Sequence, residues 1–331
     1  MSHDPSYDAD SSLETDGQEA PPPPAREDGL VDGLSKRSSG FDAYWMIDWS
    51  SSNTPKKGED SLWAALLQWE NGVARLTTKN HLTRAALTAE IAATLAGELA
   101  GQRVLVGFDF ALGLPAGTAS ALGLATEAGA WRAVWDRLAA DVQDDDNNKN
   151  NRFAVAAAWN AAISGSFGPF FGCPPRLPAS ITKTLSTTQK GVFDYPVAAK
   201  AGGSLARTRR VDDLAGSATP WFVYGGANSV GGQTLVGIPR VAQLRKTVSD
   251  SAVWPFEADA EKARVVFAEI YPSLFYTRVR GRGPARIHDR EQVAETAVAL
   301  AGLDANGELT ALFAAPTAEA RAEEGWILGV R

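Results

Sequence analysis

Residues 43 to 48 decide the fold, because a largely apolar run ends there in a single carboxylate. The run reads Ala43-Tyr44-Trp45-Met46-Ile47-Asp48. Its continuous apolarity predicts a buried β-strand, and the residues rich in Ser, Asn, Pro, Lys and Gly that follow it predict a turn. Asp48 is therefore expected at the end of a strand that is covered on both faces.

Two more strands are predicted directly after this first one. They span residues 62–69 and 73 to about 78, and the Asn71-Gly72 step between them favours a tight hairpin turn. The three strands should therefore lie antiparallel to one another in sequence order.

A helix and a fourth strand follow the hairpin. Apolar residues recur every fourth position between Thr83 and Leu99, and Gly101 provides a stop, so this segment is predicted to be an amphipathic helix. Residues 104–108 are continuously apolar and lead into Asp109. A strand reached through a helix pairs in parallel, so this strand should lie beside the first one.

The order of hairpin, strand, helix and strand predicts the fold class. It is α/β, with a ribonuclease H-like mixed sheet of three antiparallel strands followed by parallel strands reached through helices. Residues 165–240 are rich in Gly and Pro and irregular in pattern, which predicts a large cap insertion. Residues 1–40 lack apolar periodicity and contain a run of four prolines, so they are predicted to be a disordered acidic tail before a domain of residues 41–331.

Charge and composition restrict the classes of function. The net charge is −7, of which the first 40 residues carry −6, so the rest of the chain is close to neutral and has no strong field for a polyanion. The single cysteine, Cys173, excludes an internal disulfide. We find no signal peptide and no apolar stretch long enough for a membrane span, so a cytoplasmic protein is expected.

Acidic residues at strand ends are the main candidates for chemistry. Asp48, Asp109 and Glu269 each close an apolar strand, and Asp289 stands at a predicted helix start. An ionised carboxylate beside an apolar strand is costly to bury, so a cation is a natural partner. Carboxylates that converge at the carboxyl ends of strands suit Mg²⁺ or Mn²⁺, which polarise phosphoryl oxygens and activate water. Single acids of this kind also mark strand ends or cap helices without any function.

Other polar residues extend this picture. Ser50 and Lys56 follow the first strand and are candidates for holding a phosphate or phosphorylated cofactor, although a solvated turn is the simpler interpretation. Arg209 is a third candidate for binding such a cofactor, because it belongs to a basic stretch, residues 176–210, which carries a net charge of +6 over the predicted cap, although a solvated basic loop is equally compatible. His288 is a candidate general base, although a lone histidine is more often structural.

Several segments carry a resemblance to a known family. They are Met46-Ile47-Asp48-Trp49-Ser50, Gly107-Phe108-Asp109-Phe110 with Gly113-Leu114-Pro115, Asn151-Arg152-Phe153, Gly168-Pro169-Phe170-Phe171-Gly172, Val253-Trp254-Pro255-Phe256-Glu257, Ala268-Glu269-Ile270-Tyr271-Pro272-Ser273 and Glu324-Gly325-Trp326-Ile327.

These segments resemble an uncharacterised bacterial family that often carries the label molybdopterin-guanine dinucleotide synthesis protein. That family is similar to predicted nucleases of ribonuclease H-like fold. The resemblance covers nearly all of residues 41–331 and implies a fold and acidic positions, but no defined reaction.

Three functions are compatible with these observations. The leading hypothesis is a hydrolase or nuclease-like enzyme that uses Mg²⁺ or Mn²⁺ on a phosphodiester or nucleotide-type substrate, with a phosphorylated small molecule or a nucleic acid as partner. The second is a phosphotransferase of the actin and sugar-kinase type, whose repeated unit we do not find in the sequence. The third is a non-catalytic protein that binds a nucleotide-like cofactor.

Overall fold

The centre of the fold is a seven-stranded mixed sheet, seen in a computed structural model that describes residues 28–37, 39–188, 192–225, 230–275, 287–314 and 317–331. Two very short strands form a separate hairpin. The strands are β1 (Gly29–Val31), β2 (Ala43–Asp48), β3 (Leu62–Glu70), β4 (Val73–His81), β5 (Val104–Phe108), β6 (Val197–Ala198), β7 (Ser204–Leu205), β8 (Ser251–Val253) and β9 (Val265–Glu269). The α-helices are α1 (Arg84–Ala96), α2 (Thr118–Ala121), α3 (Ala130–Asp141), α4 (Arg152–Ile163), α5 (Ala179–Thr182), α6 (Arg210–Ala215), α7 (Gly231–Thr247) and α8 (His288–Ala305).

The strands of the large sheet follow the order β1-β4-β3-β2-β5-β9-β8. The first four are antiparallel to their neighbours, whereas β2, β5, β9 and β8 run parallel. The predicted adjacency of the first and fourth predicted strands is confirmed, because β2 pairs in parallel with β5. An α/β fold with a mixed sheet and helical insertions is therefore established.

The β3–β4 hairpin closes through the two residues that the sequence indicated. Asn71 and Gly72 both have positive φ, at 50° and 82°. Two residues with positive φ form the type I′ turn, whose twist matches that of the flanking strands. The hairpin is longer than predicted and reaches His81.

Helices cover both faces of the sheet. In β2, Trp45 and Ile47 point into one core, which α1, α3, α4 and α7 also line, while Tyr44 and Met46 point into a second core beneath α8. This alternation follows from the two-residue period of a strand. All six residues of β2 are buried, as the continuous apolar run predicted.

The predicted tail and the first predicted helix differ from the structure in their bounds. Residues 29–31, assigned to the tail, pair with β4 as an edge strand, because Leu30 and Val31 provide a short apolar segment in an otherwise polar region. Residues 1–27 lie outside the described residues. Helix α1 ends at Ala96, before the predicted stop at Gly101.

The predicted cap also ends earlier than residue 240. Helix α7 begins at Gly231 and packs on α1 and α3, so its seventeen residues belong to the layer against the sheet. A Cβ on Gly231 would lie 2.3 Å from the carbonyl oxygen of Pro220, so only glycine permits this close approach. No helix among the described residues is both long and apolar enough to cross a membrane.

Candidate functional site

Asp48 and Asp109 lie side by side at the carboxyl ends of two parallel strands. Ile47 of β2 is level with Phe108 of β5, so the two aspartates that follow are level with each other. The amide of Asp109 donates to the carbonyl of Ile47 at 3.2 Å, which continues the pairing beyond the strand. Both side chains therefore point to the face that α8 covers.

Burial raises the pKa of both carboxyl groups, which interact with each other through a hydrogen bond. Burial, and then the negative charge of Asp109, raises the pKa of Asp48 well above its ordinary range. Burial also raises the pKa of Asp109 to about 7, although hydrogen bonds from Asp48 and from the amide of Trp49 oppose that rise. The Trp49 amide lies 2.7 Å from Oδ1 of Asp109 and fixes its orientation. Two carboxyls forced together in this way share one proton or need a cation between them.

Asp289 adds a third acidic group near this pair. It is the second residue of α8, and its Oδ2 accepts the amide of Asp60 at 2.6 Å. Its charge contributes to the raised pKa of both Asp48 and Asp109, and burial raises its own pKa. The neighbouring His288 opposes that rise electrostatically. Its predicted role as a general base stays a prediction.

Glu269 and Arg209 form a separate ion pair, which corrects two predictions. Arg209 Nη2 donates to Glu269 Oε1 at 2.6 Å, and Nη1 donates to Oε2 at 2.7 Å. The remaining donors of Arg209 bind both oxygens of Asp212 and the carbonyl of Glu324. All three charged side chains are almost completely buried. Glu269 is therefore not a ligand of the Asp48–Asp109 pair, and Arg209 has no donor left for a cofactor.

The strand period explains why Glu269 is separated from the two aspartates. Phe108 is level with Glu269 on β9, so Ile270 is the residue level with Asp109. Neighbouring residues of a strand point to opposite faces. The Glu269 side chain thus lies on the same face as Phe267, whereas Asp48 and Asp109 lie on the other.

Ser50 and Lys56 line a cavity of about 370 Å³ together with Asp48 and Asp289. The further lining residues are Trp49, Ser51, Ser52, Asp60, Ser61, Arg152, Gly225, Gln233 and Gln292. Lys56 also pairs with Asp60 at 3.5 Å on the exposed side of the loop. The structure thus places Ser50 and Lys56 near Asp48, in the lining of one cavity. Their binding of a phosphate stays a prediction.

Arg84, which was not among the predicted site residues, fixes the loop that forms this cavity. Its buried guanidinium donates to the carbonyls of Ser50 and Ser52 at 2.8 and 2.9 Å and forms an ion pair with Asp144. Arg84 stands on the same helical face as Leu87 and Ile91. A charged residue on an apolar helical stripe was the available signal.

A second cavity, of about 250 Å³, lies on the other side of Asp109. Its lining includes Asp109, Glu269, Arg209 and Asp212, and it shares Gln233 with the first cavity. The carboxamide of Gln233 donates to the carbonyl of Trp49 at 2.6 Å. The Asp48–Asp109 pair therefore lies between two cavities. Residues 226–229, within the predicted cap, lie outside the described residues.

The predicted three-carboxylate metal site is not formed. Within the described ranges, no three His, Cys, Asp or Glu side chains converge so that they could hold a metal ion. Asp48 and Asp109 nevertheless fit Mg²⁺ or Mn²⁺, because Mg²⁺ is commonly held by one or two carboxylates together with water and substrate phosphate. Their shared hydrogen bond and raised pKa values indicate a pair that a cation would stabilise.

Comparisons of this chain with protein-family models, with curated proteins and with solved structures found no match.

Proposed function

We propose that this protein is a hydrolase of the ribonuclease H-like kind that acts on a phosphodiester or nucleotide-type substrate with Mg²⁺ or Mn²⁺. The observation that carries the proposal is the pairing of Asp48 and Asp109 on adjacent parallel strands, on one face and beside a polar cavity. The sheet order β4-β3-β2-β5-β9, with the hairpin before the parallel strands, supports the fold assignment.

The residues have separate roles in this proposal. Asp48 and Asp109 would hold the cation, and the Trp49 amide would keep Oδ1 of Asp109 in place. When bound, the cation supplies a Lewis acid for a phosphoryl oxygen and lowers the pKa of water. Asp289 strengthens the negative potential at the pair, which favours a divalent ion. Asp48 is only 8% exposed, which limits the access of bulk water to the reacting group.

Hydrolysis of bis(4-nitrophenyl) phosphate in Mn²⁺ tests the proposal. Asp109→Asn should lower kcat/KM by about 100-fold or more, since a bound cation contributes several kcal/mol to such a transition state. Asp250→Asn is the matched control, because Asp250 precedes β8 at the amino end of the parallel strands, opposite to the end that carries Asp48 and Asp109, and pairs with Arg264. It should keep the wild-type rate.

Two outcomes would contradict the proposal. Equal rates in wild type and Asp109→Asn would remove the role of the pair in hydrolysis. Mn²⁺ binding without turnover of this ester, of dinucleotides or of nucleotides would instead favour a binding protein.

A further inference from the structure

Arg152 is a buried cation whose partners are all neutral. Its side chain is 7% exposed, and Nη1 donates to Oδ1 of Asn53 at 2.7 Å and to Oδ1 of Asn150 at 2.9 Å. Nε donates to the carbonyl of Val223 at 3.4 Å. Across the described residues, no carboxylate lies within ion-pair distance of it, and Nη2 has no hydrogen-bond acceptor. A buried charge without a counter-ion is costly, so this arrangement calls for an anion.

The other two deeply buried arginines in the described part of the chain show the contrast. Arg84 forms an ion pair with Asp144, and Arg209 binds both Glu269 and Asp212. Arg152 is the exception among them and lines the 370 Å³ cavity that also contains Asp48. Burial, and then the positive charge of Arg84, lowers the pKa of Arg152 to about 10, which leaves it charged at neutral pH. The carboxylate of Asp144 opposes this shift only in part, because it forms ion pairs with Arg84 and Arg240.

The surroundings of Arg152 also suit an anion. Arg152 is the first residue of α4, and its Nε lies against the first turn of α7, where a Cβ on Gly232 would be 3.3 Å away. The same Cβ would lie 2.9 Å from Oγ of Ser51, so glycine keeps this space open. Among the described residues, no side chain caps the amino end of α7, which carries partial positive charge. The amide of Gly231 donates to the carbonyl of Phe222 at 3.0 Å, so the amides that follow it are the ones that an anion would meet. Lys56 adds a second cation to the cavity lining.

We propose that Arg152, with Lys56, Ser51 and the amino end of α7, forms a subsite for a phosphate group. A planar guanidinium with a free donor, a hydroxyl and helix amides match the several oxygens of a phosphate better than those of a single carboxylate. The cavity volume of about 370 Å³ lies in the range of sites for small molecules. The use of this subsite in catalysis rests on the proposed function, whereas phosphate binding itself does not.

The test is a calorimetric titration of inorganic phosphate into the whole protein in EDTA, in a buffer free of other oxyanions. Arg152→Met should weaken phosphate binding by about tenfold or more, since a charge-assisted hydrogen bond contributes about 1.5–3 kcal/mol. Arg132→Met changes the net charge equally but lies over Trp131, outside the cavity lining, and should bind as wild type does. Equal affinity in wild type and Arg152→Met, or no binding by wild type, would overturn the subsite.

A second measurement keeps the test decisive if Arg152→Met does not fold. In the wild type, the ¹⁵Nε resonance of Arg152 should shift on phosphate addition, and Lys56→Met should weaken binding. No shift together with unchanged affinity in Lys56→Met would overturn the subsite.

Asp48→Asn separates this proposal from the proposed function. It should lose Mn²⁺ affinity but keep its phosphate affinity, because the substitution leaves Arg152, Lys56 and Ser51 in place. Phosphate binding through Arg152 without any Mn²⁺ binding would leave the subsite standing and contradict the metal-dependent hydrolase. Mn²⁺ binding together with equal phosphate affinity in wild type and Arg152→Met would contradict the subsite and leave the metal-dependent hydrolase standing.

Discussion

Replacement of Arg209 by methionine should destabilise the protein severely, because it would leave two buried carboxylates without their counter-ion. Glu269 is 3% exposed and Asp212 is 1% exposed. Arg209 donates to all four of their oxygens, at distances from 2.6 to 3.0 Å. Methionine preserves most of the apolar volume but provides no donor.

The expected loss is about 3–5 kcal/mol in the free energy of unfolding, the range for breaking a buried ion pair from one side. Glu269→Gln should cost less, since the amide still accepts one hydrogen bond and Arg209 keeps its pair with Asp212. Arg137→Met, which breaks an exposed i,i+4 pair with Asp141, is the control and should change stability much less.

Urea denaturation followed by tryptophan fluorescence at pH 7.5 measures these differences. The midpoint should fall in Arg209→Met without a change in the slope of free energy against urea. A loss no larger than that of the Arg137→Met control would refute the assignment of Glu269 to a structural ion pair.

Three further predictions concern the pair and two glycines. The first concerns Asp109 in EDTA. Because its pKa is raised from 3.8 to about 7, the folded protein holds a proton in this pH range that the unfolded chain has released. The unfolding free energy of wild type should therefore fall by about 2–4 kcal/mol relative to Asp109→Asn as the pH rises through this range. A difference in unfolding free energy between wild type and Asp109→Asn that is the same at every pH would contradict this prediction. Gly231→Ala should lower the unfolding free energy by about 1–3 kcal/mol, because its Cβ would meet a backbone oxygen at 2.3 Å, and unchanged stability would show that the close approach is easily relieved. Gly72→Ala, at φ 82° in open space, should cost about 1 kcal/mol from backbone strain alone, and calorimetric unfolding that shows no loss would argue against the turn geometry.

The sequence predicted the part of the site that depends on strand order. Asp48 and Asp109 could be placed together because a hairpin, a strand and a helix determine which strands become parallel neighbours. The tight Asn71-Gly72 turn was also readable, since few residues tolerate its dihedral angles.

The prediction that Glu269 shares a metal site with Asp48 failed because of the register of its strand. Glu269 closes its strand as Asp48 does, but the register places it one residue out of step, on the opposite face. Register depends on pairing across the sheet, which single-strand patterns do not determine. The buried pairing of Arg209 and the isolation of Arg152 depend on contacts between residues far apart in the chain, so no local pattern indicated them.

A calorimetric Mn²⁺ titration of wild type, Asp48→Asn, Asp109→Asn and Glu269→Gln tests the central claim most directly. We expect the two aspartate variants to lose affinity by about tenfold or more, because each removes one of two carboxylate ligands. Folded Glu269→Gln should bind Mn²⁺ as wild type does, since its carboxylate serves Arg209. Wild-type affinity in Asp48→Asn, or a loss in Glu269→Gln equal to that of the aspartate variants, would contradict the account.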